Sequence, residues 1–181
     1  FGSGVRLDDT SSLRSDDAGA FGYFDRFTIS VWARSEAEEG TLWSRQVSSD
    51  RGSGYSLDQR EGRLAVNLIK RWLDDAIRVE SEQLLEPDRW YHLAVTYDGS
   101  RVARGIGLYV DGQRVPFKVH LDALNQSFMV TEPFRLGRGN GVFYGAMDEF
   151  RIYRRELDPN EIALLAVDRT TGVLTAVREA D

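Results

Sequence analysis

The side chains of this 181-residue chain that stand out for chemistry are the adjacent carboxylates Asp74-Asp75 and Asp148-Glu149, two histidines and one tryptophan in a charged setting. Cleaving a glycosidic bond takes two carboxyl groups flanking that bond, ~5–5.5 Å apart for retention and ~6.5–9.5 Å apart for inversion. Asp148-Glu149 and Asp74-Asp75 are sequence neighbours. Neighbours on a strand face opposite sides of a sheet, so neither pair can act on one bond. No Gly-x-Ser-x-Gly elbow and no Walker loop occurs. Gly137-x-Gly139-x-Gly141 lacks the strand–turn–helix setting of a dinucleotide fingerprint and reads as a turn. His92 and His120 have no second His or Cys at ligand spacing, so a metal role is the lesser reading for both. These observations point away from an enzyme.

Two positions invite a binding role. Asp148 shares strand parity with Phe150 and Ile152. If those two face a core, Asp148 does too, and a buried carboxylate must be paired, hydrogen-bonded or on a metal. Asp148 is therefore a candidate ligand of a structural Ca²⁺, which takes 6–8 oxygens. The other reading is a cap on backbone N–H groups of the preceding glycine-rich loop. Co-ligands from Asp8-Asp9 or Asp16-Asp17 cannot be assigned. Trp72 lies in Lys70-Arg-Trp-Leu-Asp-Asp75, a charged tip. An exposed indole there can stack on a sugar ring while Arg71 and Asp74 orient hydroxyls; the alternative is a strand residue covering one end of a sandwich. Tyr144, after Phe143, is a second candidate. Trp32 and Trp90 sit in well-patterned strands and read as core.

The elements that must hold these residues are strands. Phe27–Ala33, Trp90–Tyr97 and Gly145–Tyr153 alternate small or polar side chains with large apolar ones. Trp32, Val95, Tyr97, Phe150 and Ile152 are the expected inward positions. Val5–Leu7 reads as a short edge strand, Thr41–Arg45 as a strand, and Tyr55–Asp58 with Arg63–Ile69 as a hairpin. Ala76–Glu80, Ile106–Val110 and Phe134–Gly137 follow. Asp111-Gly112 is a hairpin signal, because a type I′ turn needs positive φ at both central residues. Lys118–Thr131 has no clear period. Asp158-Pro-Asn-Glu161 is a helix start, with an N-cap carboxylate, proline at the first helical position and glutamate at the third. The pattern predicts an all-β, two-sheet antiparallel jelly-roll sandwich with one short C-terminal helix. Residues 1–168 form the domain, and 169–181 are a tail or a linker stub.

Composition narrows the partners. Hydrophobic residues are 41% and aromatics 11%, enough for one sizeable core. The net charge of −6 gives no global attraction for nucleic acid or an anionic membrane. No run of about 18 apolar residues is present. The absence of cysteine excludes disulfides and thiolate sites. Arginine outnumbers lysine 21 to 2, and the only local clusters are Arg154-Arg155 and the Arg101/Arg104 loop, where intramolecular pairing is expected. The start at Phe1-Gly-Ser-Gly reads as a piece cut from a longer protein.

Together, Phe27-Thr-Ile-Ser-Val-Trp32, Trp90-Tyr-His-Leu-Ala-Val-Thr-Tyr-Asp-Gly99, Leu108-Tyr-Val-Asp-Gly112, Leu136-Gly-Arg138, Phe143–Tyr153 and Leu157-Asp-Pro-Asn-Glu-Ile162 resemble the laminin-G-like branch of the concanavalin A-like lectin/glucanase superfamily. The match covers roughly residues 5–166. The resemblance implies a curved jelly roll that recognises glycans or protein surfaces within a larger extracytoplasmic bacterial protein, with a structural Ca²⁺ in many relatives. The alternative is a spacer that scaffolds neighbouring domains and binds nothing small. The laminarinase-type carboxylate run of that superfamily, Glu-x-Asp-x-x-Glu or Glu-x-Asp-x-Glu, does not occur.

Overall fold

A computed structural model describes residues 4–49 and 51–171. Thirteen strands and one helix build it: β1 (Val5–Leu7), β2 (Leu13–Ser15), β3 (Phe27–Ser35), β4 (Gly40–Gln46), β5 (Gly54–Arg60), β6 (Arg63–Arg71), β7 (Asp75–Leu84), β8 (Trp90–Tyr97), β9 (Ile106–Val110), β10 (Gln113–Arg114), β11 (Phe117–Asp122), β12 (Phe134–Leu136), β13 (Gly145–Tyr153) and α1 (Pro159–Thr171). They form a six-stranded sheet, β1-β13-β3-β8-β9-β10, and a seven-stranded sheet, β11-β7-β6-β5-β4-β12-β2. Every pairing between neighbouring strands is antiparallel. The two-sheet sandwich expected from the alternation is present.

Alternation decides which side chains meet between the sheets. The six-stranded sheet sends Phe27, Ile29, Val31, Ala33, Leu93, Val95, Tyr97 and Met147 inward; the seven-stranded sheet answers with Trp43, Tyr55, Leu57, Leu64, Val66, Leu68, Ile77 and Val79. Phe150 and Ile152 pack against this core from a half-buried position. At its centre, Phe27 lies 5.8 Å from Tyr55 and 5.6 Å from Tyr97, ring centre to ring centre. Phe128 stands 6.0 Å from Tyr55 and 6.3 Å from Tyr97. The first pair is stacked, the second tilted and the last two edge-on, arrangements that suit the aromatic quadrupole.

Trp32 is not in this core. It alternates with Val31 and Ala33 and so shares the outward parity of Thr28 and Ser30. Trp90 is likewise half-exposed, two residues from outward-facing His92. For both, parity overrides size, and the core tryptophan is Trp43.

Asp148 needs the same correction. The β13–β3 register shifts between Asp148 and Arg151, and Glu149 adopts φ +54°. This β-bulge sets Glu149 and Phe150 against Val31, and an extra residue inverts the alternation. Met147 points inward before the bulge, while Phe150 and Ile152 do so after it. Asp148, opposite Trp32, therefore faces outward with Arg151.

Local signals hold where the chemistry is short-range. Asp111 (φ +49°) and Gly112 (φ +77°) form the hairpin turn, and Glu61 (φ +48°) with Gly62 (φ +73°) form its counterpart between β5 and β6. Gly112 is constrained twice, since a Cβ there would lie 3.0 Å from Ala163 Cα on α1. The helix cap is reciprocal: Asp158 Oδ1 accepts the Glu161 N–H (3.0 Å), and Glu161 Oε2 accepts the Asp158 N–H (2.9 Å). The helix runs to Thr171, past the expected boundary at 168; residues 172–181 of the expected tail lie outside the described residues. Leu157 and Ile162 pack on Ala94 and Tyr109, so this segment covers part of the outer face of the six-stranded sheet.

Two elements exceed the sequence reading. β2 completes one edge of the seven-stranded sheet by pairing with β12. Within the patternless stretch, β11 pairs with β7 at the other edge, and Leu124 and Phe128 enter the core. The irregular segment 16–25 is held by side chains. Arg45 Nη1 donates to the carbonyls of Asp16 (3.0 Å) and Ala18 (2.6 Å), Tyr55 Oη to Gly19 (2.7 Å) and Tyr97 Oη to Tyr23 (2.7 Å).

Phe128 is fully buried, so Phe128→Ala is expected to cost about 3–5 kcal/mol in denaturant unfolding. Tyr55→Phe keeps the ring but strands the Gly19 carbonyl, and about 1–2 kcal/mol should be lost. A loss under about 1 kcal/mol for Phe128→Ala would contradict the packing described.

Candidate functional site

The outer faces of the two sheets differ in chemistry. On the six-stranded sheet, Asp148, Trp32 and His92 stand in one cross-strand row. Trp32 and His92 meet edge-on at 5.5 Å. His92 is buried, and neither ring nitrogen has a hydrogen-bond partner. Burial, with Arg151 nearby, pushes its pKa down to about 4, so the ring is neutral and structural. His120, on β11, lies 3.8 Å from Glu80.

Asp148, Asp8 and Asp16 are each engaged separately. Asp148 Oδ1 accepts the Glu149 N–H at 2.9 Å. Among the described residues, no group of three or more His, Cys, Asp or Glu gathers that could hold a metal ion. Asp8 is engaged elsewhere, its Oδ1 accepting from Thr10 N, Thr10 Oγ1 and Ser11 Oγ, which pulls it down to about 2. Asp16 pairs with Arg14 at 2.8 Å. The oxygen-rich shell that Ca²⁺ requires is not assembled by these side chains.

On the seven-stranded sheet, outward positions of β4, β5 and β6 carry a connected polar network. Asp58 Oδ1 accepts from Thr41 Oγ1 (2.7 Å); its Oδ2 accepts from Ser56 Oγ (2.9 Å) and Asn67 Nδ2 (2.9 Å). Arg60 Nη2 stands 3.6 Å from the same carboxylate. Burial raises the Asp58 pKa, while these hydrogen bonds and Arg60 act against that rise. The register makes the network: Thr41 pairs with Asp58, and Ser56 with Asn67. The loop 137–144 leans over one end, with Ser44 Oγ donating to the Arg138 carbonyl (2.6 Å) and Thr41 Oγ1 accepting the Gly141 N–H (3.0 Å).

An open cleft of about 470 Å³ lies at this end, with Glu39, Thr41, Asp58, Arg60, Asn140 and Tyr144 on its walls. Tyr144 is 41% exposed, whereas Phe143 beside it is buried, so the pair divides between ligand-accessible surface and core. Tyr144 thus belongs to the cleft.

The Trp72 tip is adjacent. Trp72 is half-buried in the turn between β6 and β7 and is not a bare platform. Three guanidinium groups surround its ring: Arg78 at 4.3 Å from the ring centre, Arg51 at 5.4 Å and Arg60 at 5.6 Å. Arg71 and Asp74 are exposed and pair with each other in two-point fashion, at 2.8 and 3.3 Å. Arg51, Arg71, Trp72, Leu73 and Asp74 border a second hollow of about 450 Å³. Arg60 lines the first hollow and lies over the Trp72 ring, linking Tyr144 to the tip that holds Trp72, Arg71 and Asp74, while Asp148 lies on the other sheet.

Sequence reading missed Arg51, Arg60 and Arg78 because they are far apart in the chain, on a loop, on β5 and on β7. The hint available was strand parity: Arg78 pairs with Asn67, which pairs with Ser56. Two arginines of the clusters singled out from sequence have partners within the domain. Arg155 forms two bonds to Glu161 (2.9 and 2.7 Å), and Arg101 stacks near Tyr23 and Phe24.

The chain belongs to the concanavalin A-like lectin/glucanases superfamily, whose laminin G family model matches residues 7–163. Its fold is similar to the binding domain of Paraclostridial Mosquitocidal Protein 1 (TM-score 0.66, 18% identity, covering 93% of this chain and 43% of that one). It is also similar to the CBM40 of a Ruminococcus gnavus IT-sialidase bound to α2,3-sialyllactose (TM-score 0.67, 13% identity, 90% and 96%). A native heptameric SAP-like pentraxin from Limulus polyphemus is a third likeness (TM-score 0.62, 12% identity, 89% and 80%). The chain spans under half the length of the toxin binding domain. No curated protein matches the chain.

The buried neutral His92 generates a pH dependence. Its folded pKa of about 4 lies below the ordinary 6.5, so the unfolded chain binds more protons between these values. Stability from this residue is complete above pH 6.5 and lost progressively as pH falls to about 4, on the order of 3 kcal/mol in all. The pH-dependent loss measured by denaturant unfolding should shrink by about that amount in His92→Leu; an unchanged profile would contradict the assignment.

Proposed function

We propose that this domain is a non-catalytic recognition module whose ligand is a glycan, bound on the outer face of the seven-stranded sheet. The observation that carries this reading is the contrast between the two outer faces. One is partly covered by the Leu157–Ile162 segment. The other has an open cleft of about 470 Å³ bordered by the exposed Tyr144, set over the buried Thr41–Ser56–Asp58–Asn67 network. A saccharide suits such a cleft, with the polar side chains Glu39, Arg60 and Asn140 on its wall beside an aromatic face for the sugar's C–H side. Pre-organisation of the polar groups by strand register lowers the ordering cost on binding.

The neighbours support a binding role. The similar toxin structure is a binding domain, and the CBM40 is bound to a sialylated sugar. The position of Lys118–Thr131 also favours recognition over a spacer. That segment extends the sheet edge through β11 and fills the core through Leu124 and Phe128, instead of closing the outer face. No helix among the described residues is long and apolar enough to cross a membrane. An extracytoplasmic setting within a larger protein belongs to the proposal, and the likeness to toxin and CBM40 binding domains supports it. Ca²⁺ at Asp148 has no part in it.

A glycan array followed by calorimetry tests this. Affinities in the range of about 1 mM to 1 μM are expected for one shallow site. Tyr144→Ala should weaken binding about tenfold, or about 1.4 kcal/mol, with an unchanged melting temperature. Absence of binding to any glycan would favour the scaffold alternative, and release of reducing sugar would overturn the non-catalytic reading.

A further inference from the structure

A hollow of about 390 Å³ opens on the outer face of the six-stranded sheet, beside the segment that leads into α1. Small-molecule sites occupy roughly 300–1,000 Å³, so its size suits a small ligand. Its walls carry both signs of charge. Asp98 follows β8 and Glu156 precedes α1, while Arg104 stands in the turn into β9 and Arg114 on β10. The buried Thr96, Tyr109 and Leu157 form its base. It shares no wall residue with the cleft at Tyr144.

Elsewhere in the domain, opposite charges that meet close on one another, as Arg155 does with Glu161 and Arg71 with Asp74. In the hollow they do not. Among the described residues, Arg104 and Glu156 have no hydrogen-bond or ion-pair partner, and neither Arg114 nor Asp98 pairs with an opposite charge. The pairing expected for the Arg101/Arg104 loop stops at Arg101. Local bonds fix the backbone or the stem of these groups. Thr28 Oγ1 donates to the Arg155 carbonyl and accepts the Leu157 N–H, both at 2.9 Å, which pins the chain on either side of Glu156. Arg114 Nη2 donates to the Ile106 carbonyl at 3.1 Å, drawing its guanidinium to the start of β9, next to the turn that carries Arg104. Asp98 gives Oδ1 to the Ser100 N–H (2.8 Å) and keeps Oδ2 uncommitted. Gly107 allows the Tyr109 ring to lie beside Thr96, since a Cβ there would stand 2.3 Å from Thr96 Oγ1 and 2.8 Å from the ring.

A ligand of one sign is disfavoured in such a place. An anion meets Asp98 and Glu156, and a cation meets Arg104 and Arg114. We propose that this hollow is a second binding site, for a zwitterion whose ammonium and carboxylate are joined by a short methylene chain. The ammonium lies at Glu156 and Asp98, and the carboxylate at Arg104 and Arg114. Planar guanidinium forks match the two oxygens of a carboxylate. The methylenes lie along Tyr109, Leu157 and Pro159, where they leave water. Two sources supply this chemistry: a free ω-amino acid, and the last residue of a polypeptide that ends in lysine.

The probes are 6-aminohexanoate, hexanoate and hexylamine, which share a chain length and differ in charge. Titration calorimetry on the described domain should show 6-aminohexanoate binding about tenfold tighter than either singly charged probe, or about 1.4 kcal/mol. Raised salt should narrow the difference. Glu156→Gln and, separately, Arg104→Gln should each weaken 6-aminohexanoate about tenfold. Both side chains are exposed and unpaired, so the melting temperature should hold, which separates a lost contact from a lost fold. Nα-acetyl-lysine carries the two charges of a C-terminal lysine. Its binding more tightly than 6-aminohexanoate assigns the site to a polypeptide end, and its binding more weakly assigns it to a free ω-amino acid. No binding of any probe, equal affinity for the zwitterion and a singly charged probe, or an affinity that survives Glu156→Gln overturns the inference. Each of these leaves the glycan reading standing, because Tyr144→Ala tests a separate surface.

Discussion

Burial of Phe27, Tyr55, Tyr97 and Phe128 between the sheets is the interaction on which the remaining structure depends. These rings come from β3, β5, β8 and the long connection after β11, so their contact fixes elements far apart in the chain. Each aromatic that turns inward commits its strand neighbours to turn outward. Inward Tyr55 and Leu57 set Ser56 and Asp58 on the outer face of β5; inward Val66 and Leu68 do the same for Asn67 on β6. The polar network is thus a by-product of core packing, held to the tolerance of the core.

The sandwich has two outer faces and spends them differently. On the six-stranded sheet, apolar outward residues such as Ala94 and Tyr109 require a cover, and the segment leading into α1 supplies it. On the seven-stranded sheet, outward residues on the central strands are mostly polar and satisfy one another. Unpartnered buried polar atoms occur on both sheets, among them the ring nitrogens of His92 on one and Gln46 and Arg78 Nε on the other.

Much of the fold was legible in the sequence, because alternation, turn glycines and the capping box act over a few residues. Val95, Tyr97, Phe150 and Ile152 follow simple parity, and Asp111-Gly112 and Asp158–Glu161 form as their chemistry dictates. Errors arose where one residue altered the count or where size was weighed above parity. The bulge at Asp148-Glu149 inverts the face of β13, and no glycine announces it, since Glu149 itself takes the left-handed conformation. Trp32 is large but out of phase with its inward neighbours. The site was legible only in part. Tyr144 and the Trp72 tip stood out by local context, while the Arg51, Arg60 and Arg78 convergence depends on sheet register that no local pattern encodes.

The segment 16–25 has a consequence for how the molecule would yield to a protease. It has no sheet ladder of its own, and by secondary structure alone it would be a nicking site. Yet Arg45, Tyr55 and Tyr97 each grip one or two of its carbonyls, and the two tyrosine rings belong to the central aromatic cluster. Freeing this loop means withdrawing core side chains. Its opening is therefore coupled to global unfolding, so its amide exchange and cleavage should proceed at the pace of the whole domain instead of that of a frayed surface loop.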